Sequence, residues 1–391
     1  MPILQRISAL LLLLTFSATS AENETKYEIE KINSKVLNEE RTAVVQLPKS
    51  YQSNPTKVYP VLFRLDGKGN LPLESVLLNS LHAQGAAPEV ILVAIENTDR
   101  ARDLTPTVNH DPRGPVGVGG GGDKFLDFIE TELIPHIEAK YRTHNFRIFS
   151  GASIGGLLVL HSLQSRPHLF QAHIAYSPAV WWSENTTAKN VKQFITNSKE
   201  LDTFLYMDIG SEHADMRAVY DDLDAFLKKN PRKGFTFVSD AFDTVPHGLT
   251  SKAGIFNAYH NLFLPLAMPS SLLTDGVKSI KEYYKRVSFQ RGETTIGPDW
   301  SNRQLGYNLV NKKDFKTAEE VFKYNIGLYP EMPSAYNGLA YSYEQNQQFD
   351  KALEQINISL TLVNEEEDKD GYKYYVDRKK SIESELSKPS K

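Results

Sequence analysis

Over most of its first 290 residues the chain alternates short, unbroken apolar runs with amphipathic stretches. Runs at 42–47, 58–65, 89–95, 146–150, 172–177, 203–209 and 235–239 are rich in Val, Ile, Leu and Phe. The interior runs do not alternate apolar with polar residues. A strand that is apolar on both faces suits a parallel sheet covered by helices on both sides. The clearest helical segment is 123–140, where Phe125, Phe128, Ile129 and Leu133 recur at helical spacing and Asp123 offers an N-cap. Strand–helix alternation predicts a doubly wound, mostly parallel α/β sheet over residues 22–290.

From residue 300 onward the period changes. A shift of 34 residues superposes Leu305 on Leu339, Phe315 on Phe349, Ala318 on Ala352, Phe322 on Ile356 and Leu328 on Leu362. Thirty-four is the tetratricopeptide period, with a small Ala where paired helices cross. A small all-α, tetratricopeptide-like region is therefore expected over 300–388. Its third, capping helix is expected at about 369–386, and residues 287–300 read as the linker. At the other end, Arg6, the apolar run Ile7 to Phe16 and the small residues Ser17 to Ala21 read as a secretory signal peptide over 1–21.

Composition narrows the function classes. The chain has 391 residues, 24% of them charged, and a net charge of −4. That balance offers no basic footprint for nucleic acid or an anionic membrane surface. No cysteine is present, so disulfides, zinc–thiolate sites, iron–sulfur clusters and thiol nucleophiles are excluded. Export without disulfides points to a bacterial periplasm, and no later segment is long and apolar enough to span a membrane.

The strongest chemical signal is Gly151-Ala152-Ser153-Ile154-Gly155-Gly156. A strand-like run precedes it and a helix-like run follows. Strand, sharp glycine-flanked turn, helix is the nucleophile elbow. The alternative is a structural turn whose serine caps the helix. A serine hydroxyl needs a base to take its proton. With the order serine, acid, histidine, His247 is the best base, in a loop after the last strand. His213 is its rival, while His161, His168, His173 and His260 read as structural or solvated. The acid should follow the 203–209 strand, where Asp208, Glu212 and Asp215 qualify; Glu212 is favoured because it sits at the sheet rim just past Gly210. An oxyanion needs two backbone N–H donors. Ile154 supplies one, and Lys68, after the turn at Gly67, the other. The run Gly119–Gly122 lacks the Gly-Lys-Ser/Thr ending of a phosphate loop and reads as a mobile loop over the site.

These residues, with Leu65-Asp66-Gly67, Asp99 to Thr107, Gly122 to Pro135 and Tyr176-Ser177-Pro178-Ala179-Val180-Trp181-Trp182, resemble the esterase family of α/β hydrolases. That family includes the enterochelin and salmochelin esterases and is related to S-formylglutathione hydrolase. The resemblance covers residues 40–265 and leaves the helical repeats outside. It implies ester hydrolysis through Ser153 and His247, with Lys68 and Ile154 as the oxyanion hole and no metal or organic cofactor. Relatives place the acid three residues after the glycine matching Gly210; here Glu212 comes after two, which leaves the third triad member open. Arg100 and Arg102 are candidates to hold an anionic substrate, or else pair with Asp99 and Asp103. Trp181 and Trp182 offer a stacking wall, or else pack beneath the loop.

The leading expectation is thus a periplasmic serine esterase acting on a small, siderophore-like or other ester. The alternatives are a catalytically silent module that binds a protein through its helical tail, and an acyltransferase. The repeats offer a surface for a protein partner or a second copy.

Overall fold

The computed structural model describes residues 27–388, so the expected signal peptide lies outside the described residues. Eight strands form one sheet: β1 (Tyr27–Ser34), β2 (Glu39–Gln46), β3 (Tyr59–Arg64), β4 (Ile91–Ile95), β5 (Thr143–Ala152), β6 (Ala172–Tyr176), β7 (Glu200–Ile209) and β8 (Lys233–Ala241). Their order across the sheet is β1-β2-β4-β3-β5-β6-β7-β8. The pairs β1–β2 and β2–β4 are antiparallel, and every other pair is parallel. The seven apolar runs all became strands. β3, β4 and β6 are buried at every position, as unbroken apolar runs require.

β1 was not anticipated, and its burial explains why. The positions facing inward are Glu30, Ile32 and Ser34, while Ile29 faces solvent. Buried Glu30 is held by Lys140, Tyr141 and His136. Polar residues point inward on this edge strand, so hydropathy hides it.

Helices cover both faces. On one face lie α1 (Leu71–Ala83) and α8 (Thr250–Leu262). On the other lie α2 (Arg100–Leu104), α3 (Gly122–Phe128), α4 (Ile134–Lys140), α5 (Ile154–Ser165), α6 (Trp182–Asn197) and α7 (Ala214–Lys229). Successive strand residues feed opposite cores, as the two-residue period demands. Phe63, Phe149, Ala175 and Met207 join the core under α3 to α7, whereas Leu62, Ile148, Ile174 and Tyr206 join that under α1 and α8. The expected helix over 123–140 forms, but with a wider turn over Ile129–Leu133 between α3 and α4. Pro135 sits at the start of α4. It has no N–H to give, so the helix widens just ahead of it.

The chain then continues as α9 (Gly276–Arg291), α10 (Asp299–Asn311), α11 (Phe315–Leu328), α12 (Pro333–Gln345), α13 (Phe349–Leu362) and α14 (Lys369–Leu386). An all-helical C-terminal region is present, and its last helix covers the expected stretch. Residues 287–291, expected in a linker, are instead the end of α9. The reason is burial: Ile280, Tyr283, Tyr284 and Val287 of α9 share one apolar core with Leu305, Val321, Phe322 and Leu339. Arg291 ties α9 to the sheet layer by donating from Nη2 to the Gly85 carbonyl at 2.6 Å. α9 thus packs on both parts of the molecule.

Phe322 is fully buried between two glycines of the helical region. A Cβ at Gly306 would come within 2.5 Å of its ring, and one at Gly338 within 2.7 Å. Alanine is the better helix former by about 1 kcal/mol. Overpacking a filled core costs about 1–3 kcal/mol. With glycine contacts on both sides the ring has nowhere to withdraw, so overpacking should win. Gly306→Ala should lower the urea midpoint of the helical region, and Gly306→Ala/Phe322→Leu should recover part of the loss. A raised midpoint for Gly306→Ala alone would show that the ring can move aside.

Candidate active site

The C-terminal ends of β3, β5, β6 and β7 meet at one rim of the sheet. At the end of β5 the chain turns through Ser153, with φ 59° and ψ −121°, directly into α5. This is a left-handed conformation that a serine adopts only when its surroundings enforce it. Ser153 N–H donates to the Tyr176 carbonyl at 2.9 Å, and its own carbonyl accepts from Ala179 N–H at 3.1 Å. The turn closes because Gly151 has no side chain to meet the Gly155 backbone. A Cβ on Gly151 would lie 2.5 Å from the Gly155 backbone.

Two loops carry the partners. Glu212 follows β7, and His247 opens a short turn, His247–Leu249, ahead of α8. Ser211 N–H binds the Val245 carbonyl at 2.8 Å, which pins the loops together. His247 Nδ1 lies 2.6 Å from Glu212 Oε1. Burial works to raise the Glu212 pKa, but hydrogen bonds from His247 and Ser177 prevail and hold it below the usual carboxylate range. The same Glu212 bond lifts His247 above the ordinary imidazole value, against the opposing effect of burial.

Ser153 and His247 line two adjoining hollows. One, of about 320 Å³, is walled by Arg64, Asp66, Asn70, Arg100 and Lys252. The other, of about 240 Å³, is walled by Pro178, Ala179, Trp181, Ile209, Glu212 and Met216. A polar, partly cationic hollow and a mainly apolar one therefore meet at the same serine.

Other expected residues sort clearly. Arg100 lines the polar hollow, bound by Nε to Asp66 Oδ1 at 2.6 Å and by Nη2 to the Ala152 carbonyl at 3.2 Å. Arg102 pairs with Glu39 and Asp103 and does not line either hollow. Trp181 walls the apolar hollow, but Trp182 is buried and donates Nε1–H to the Thr107 carbonyl at 2.9 Å. Three left-handed residues, Ser183, Glu184 and Asn185, turn the chain after this pair. Ser183 N–H bound to Asn109 Oδ1 at 3.1 Å fixes that turn.

Ile154 is the first residue of α5, where a helix has no internal partner for its N–H groups. The Lys68 amide differs from expectation: it donates to Glu96 Oε1 at 3.0 Å. The carboxylate reaches it because Gly67 lacks a Cβ, which would sit 2.3 Å from Glu96 Oε2. His213 and Asp215 pair with each other at 3.1 Å on the exposed surface. Asp208 is buried behind the site, and burial pushes its carboxyl up to about 7. The glycine run is a seam: Gly119 bridges Val108, and Gly120 and Gly122 donate to the Thr105 carbonyl at 3.2 and 3.0 Å. A Cβ on Gly119 would overlap Thr105 Oγ1, so close approach accounts for this glycine.

Ser177, Arg64, Asp66 and Lys252 were not singled out by sequence reasoning. Asp66 and Ser177 do fall in stretches that carry the family resemblance, Leu65-Asp66-Gly67 and Tyr176 to Trp182, but no role was assigned to either. Among the described residues, no group of three or more His, Asp or Glu side chains is arranged to hold a metal ion. No helix among them is long and apolar enough to cross a membrane.

Residues 34–237 match the family described as "Putative esterase". The chain is 32% identical over 184 residues to the ferri-bacillibactin esterase BesA of Bacillus subtilis (strain 168), covering 42% of this chain and 62% of that one. It is 39% identical over 102 residues to the siderophore triacetylfusarinine C esterase of Aspergillus fumigatus, covering 26% of this chain and 34% of the other. It thus spans less than two thirds of either relative. Among solved structures, the IroE-like serine hydrolase from Shewanella oneidensis is 25% identical with a TM-score of 0.61, covering 78% of this chain and all of that one.

The Glu212–His247 bond makes a titration testable. Glu212→Gln keeps the shape and removes the charge that favours the imidazolium. His247 should then titrate lower than in the parent, as followed by its ring resonances in NMR. A midpoint that stays put would mean that Glu212 does not govern this histidine.

Proposed function

The chain belongs to the esterase family, and from that premise we propose that it is a serine carboxylic-ester hydrolase working through an acyl-enzyme. The observation that carries this reading is the placement of Ser153, on its left-handed elbow, in the same hollows as a histidine held by a carboxylate.

With Nδ1–H donated to Glu212, His247 keeps Nε2 unprotonated and able to act as the base. Nε2 takes the Ser153 proton as Oγ attacks the ester carbonyl. The carbonyl oxygen becomes an oxyanion, which in this reading is received by the Ile154 N–H at the positive end of α5. His247 then returns the proton to the departing alcohol. Water, deprotonated by the same nitrogen, attacks the acyl-enzyme and releases the acid. Glu212 stays ionised throughout, since its bonds hold its pKa low. For Lys68 to supply a second oxyanion donor, its amide must leave Glu96.

The substrate is proposed to be a small ester with a siderophore-like polar arm. The relatives' names and the polar hollow beside Ser153 support this. Export to a periplasm is proposed from the N-terminal sequence pattern, and the helical region is proposed as a surface for a second protein or a second copy.

A fluorophosphonate probe on the purified protein should label Ser153, mapped by mass spectrometry. Ser153→Ala should lose at least about a thousandfold in kcat on short p-nitrophenyl esters, with its unfolding midpoint nearly unchanged. Only neutral His247 accepts a proton, so kcat/KM should rise with pH through the raised His247 pKa, above the ~6.5 of a free imidazole. Turnover retained in Ser153→Ala, or a probe adduct elsewhere, would sink the reading.

A further inference from the structure

The Nδ1 side of His247 holds one group more than a nucleophile, a base and an acid require. Ser177, the first residue after β6, is buried with φ 39°. Its amide is tied twice to Asp208, to the carbonyl at 3.0 Å and to Oδ1 at 2.8 Å. Asp208 is itself fully buried at the end of β7, so this tie has a rigid base. It holds Ser177 in a left-handed conformation that a serine rarely adopts unaided. In that conformation the Ser177 hydroxyl meets Glu212 Oε1 and lies 3.2 Å from His247 Nδ1.

We propose that Ser177 is a positioning residue for the base, acting through Glu212: its hydroxyl fixes and partly neutralises the one carboxylate oxygen that receives the His247 Nδ1–H. The proposal rests on the reading of Ser153 and His247 as nucleophile and base. The bookkeeping of protons supports it. Glu212 Oε1 has no proton to give, so both Ser177 O–H and His247 Nδ1–H donate to it. Ser177 has a single proton, and once that is given to Glu212 it has none to offer Nδ1. The ring therefore keeps its proton on Nδ1 and leaves Nε2 bare.

A charge consequence follows. A hydroxyl donated to Glu212 draws on the same negative charge that favours the imidazolium. Without it, Glu212 should favour the imidazolium more strongly, and His247 should titrate higher. The other groups acting on His247 remain in place. Asp208 favours its charged form and Arg100 opposes it. Asp66 and Lys252 line the same hollow, and Arg217 acts on Glu212.

The test uses the full chain and two readouts: the pH profile of kcat and KM on a p-nitrophenyl ester, and the NMR titration of His247. Ser177→Ala should lose about tenfold in kcat, the scale of one hydrogen bond to a charged group, with KM within about twofold. Its His247 midpoint should move up. In the Glu212→Gln background, where there is no carboxylate charge to moderate, Ser177→Ala should leave the midpoint where it was. Ser177→Gly, which accepts the left-handed backbone freely, carries the same test should the alanine variant fold poorly. A fall in kcat with an unmoved midpoint would reduce Ser177 to a packing residue and overturn the proposal. A shift that persists in the Glu212→Gln background would overturn the route through Glu212. If the parent hydrolyses no ester, the esterase reading fails on that result alone. The NMR midpoint still decides the role of Ser177: raised in Ser177→Ala it supports the proposal, unmoved it defeats it.

Discussion

The backbones of Gly151 and Gly155 approach so closely that no Cβ fits between them. That contact lets β5 turn into α5 within one residue and leaves Ser153 at the apex with a positive φ. Such a conformation is unfavourable by itself, on the order of 1–3 kcal/mol, and survives only where its surroundings over-determine it. Here they do. Ser153 is hydrogen-bonded at both its amide and its carbonyl, to residues on β6 and the loop beyond it. Near the elbow β5 lies paired between β3 and β6, and α5 is buried along nearly its whole length. The parallel sheet is what makes a strained, half-buried serine possible, and the rest of the site is arranged around the point it defines.

How much of this was legible follows from what each residue had to do. β3, β4 and β6 could be read because every position is buried, and the other anticipated strands because each carries a short run rich in Val, Ile, Leu or Phe. β1 could not, because its inward positions include Glu30, whose burial is made acceptable by Lys140, Tyr141 and His136 about a hundred residues away. The elbow was legible because strain needs glycine at fixed offsets. The Lys68 amide was not, since its partner Glu96 approaches from another loop. Arg102 looked like a ligand-binding cation in sequence, but Glu39 and Asp103 already take up its hydrogen bonds. Local pattern reveals local constraint. It does not reveal which distant charge has already engaged a side chain.

α9 shows the same limit at the level of whole regions. Its polar stretch reads as the approach to a linker, yet its apolar face is buried with the helices that follow. Arg291 and the left-handed Gly292 fasten its end to the edge of the sheet layer, near Gly85 and His144. His144 lies in the first residues of β5, at the end of the strands opposite Ser153. The helical region therefore adjoins the sheet at the rim away from the elbow.

Asp208 and Glu212 show how environment sorts two carboxylates only four residues apart. Asp208 is still within β7, whereas Glu212 lies in the loop just past Gly210. Asp208 receives one amide on Oδ1, has no partner on Oδ2, and is sealed from water, so its carboxyl is pushed up to about 7. A group poised there is not a dependable anion at neutral pH. Glu212 sits at the rim with two donors on one oxygen, and its pKa stays low. It therefore remains ionised across the range in which His247 gains and loses its proton. A base that must cycle between charged and neutral forms needs a partner whose charge does not change as it does so. On the roles proposed for them, only Glu212 of the two carboxylates meets that requirement, while Asp208 holds the Ser177 backbone.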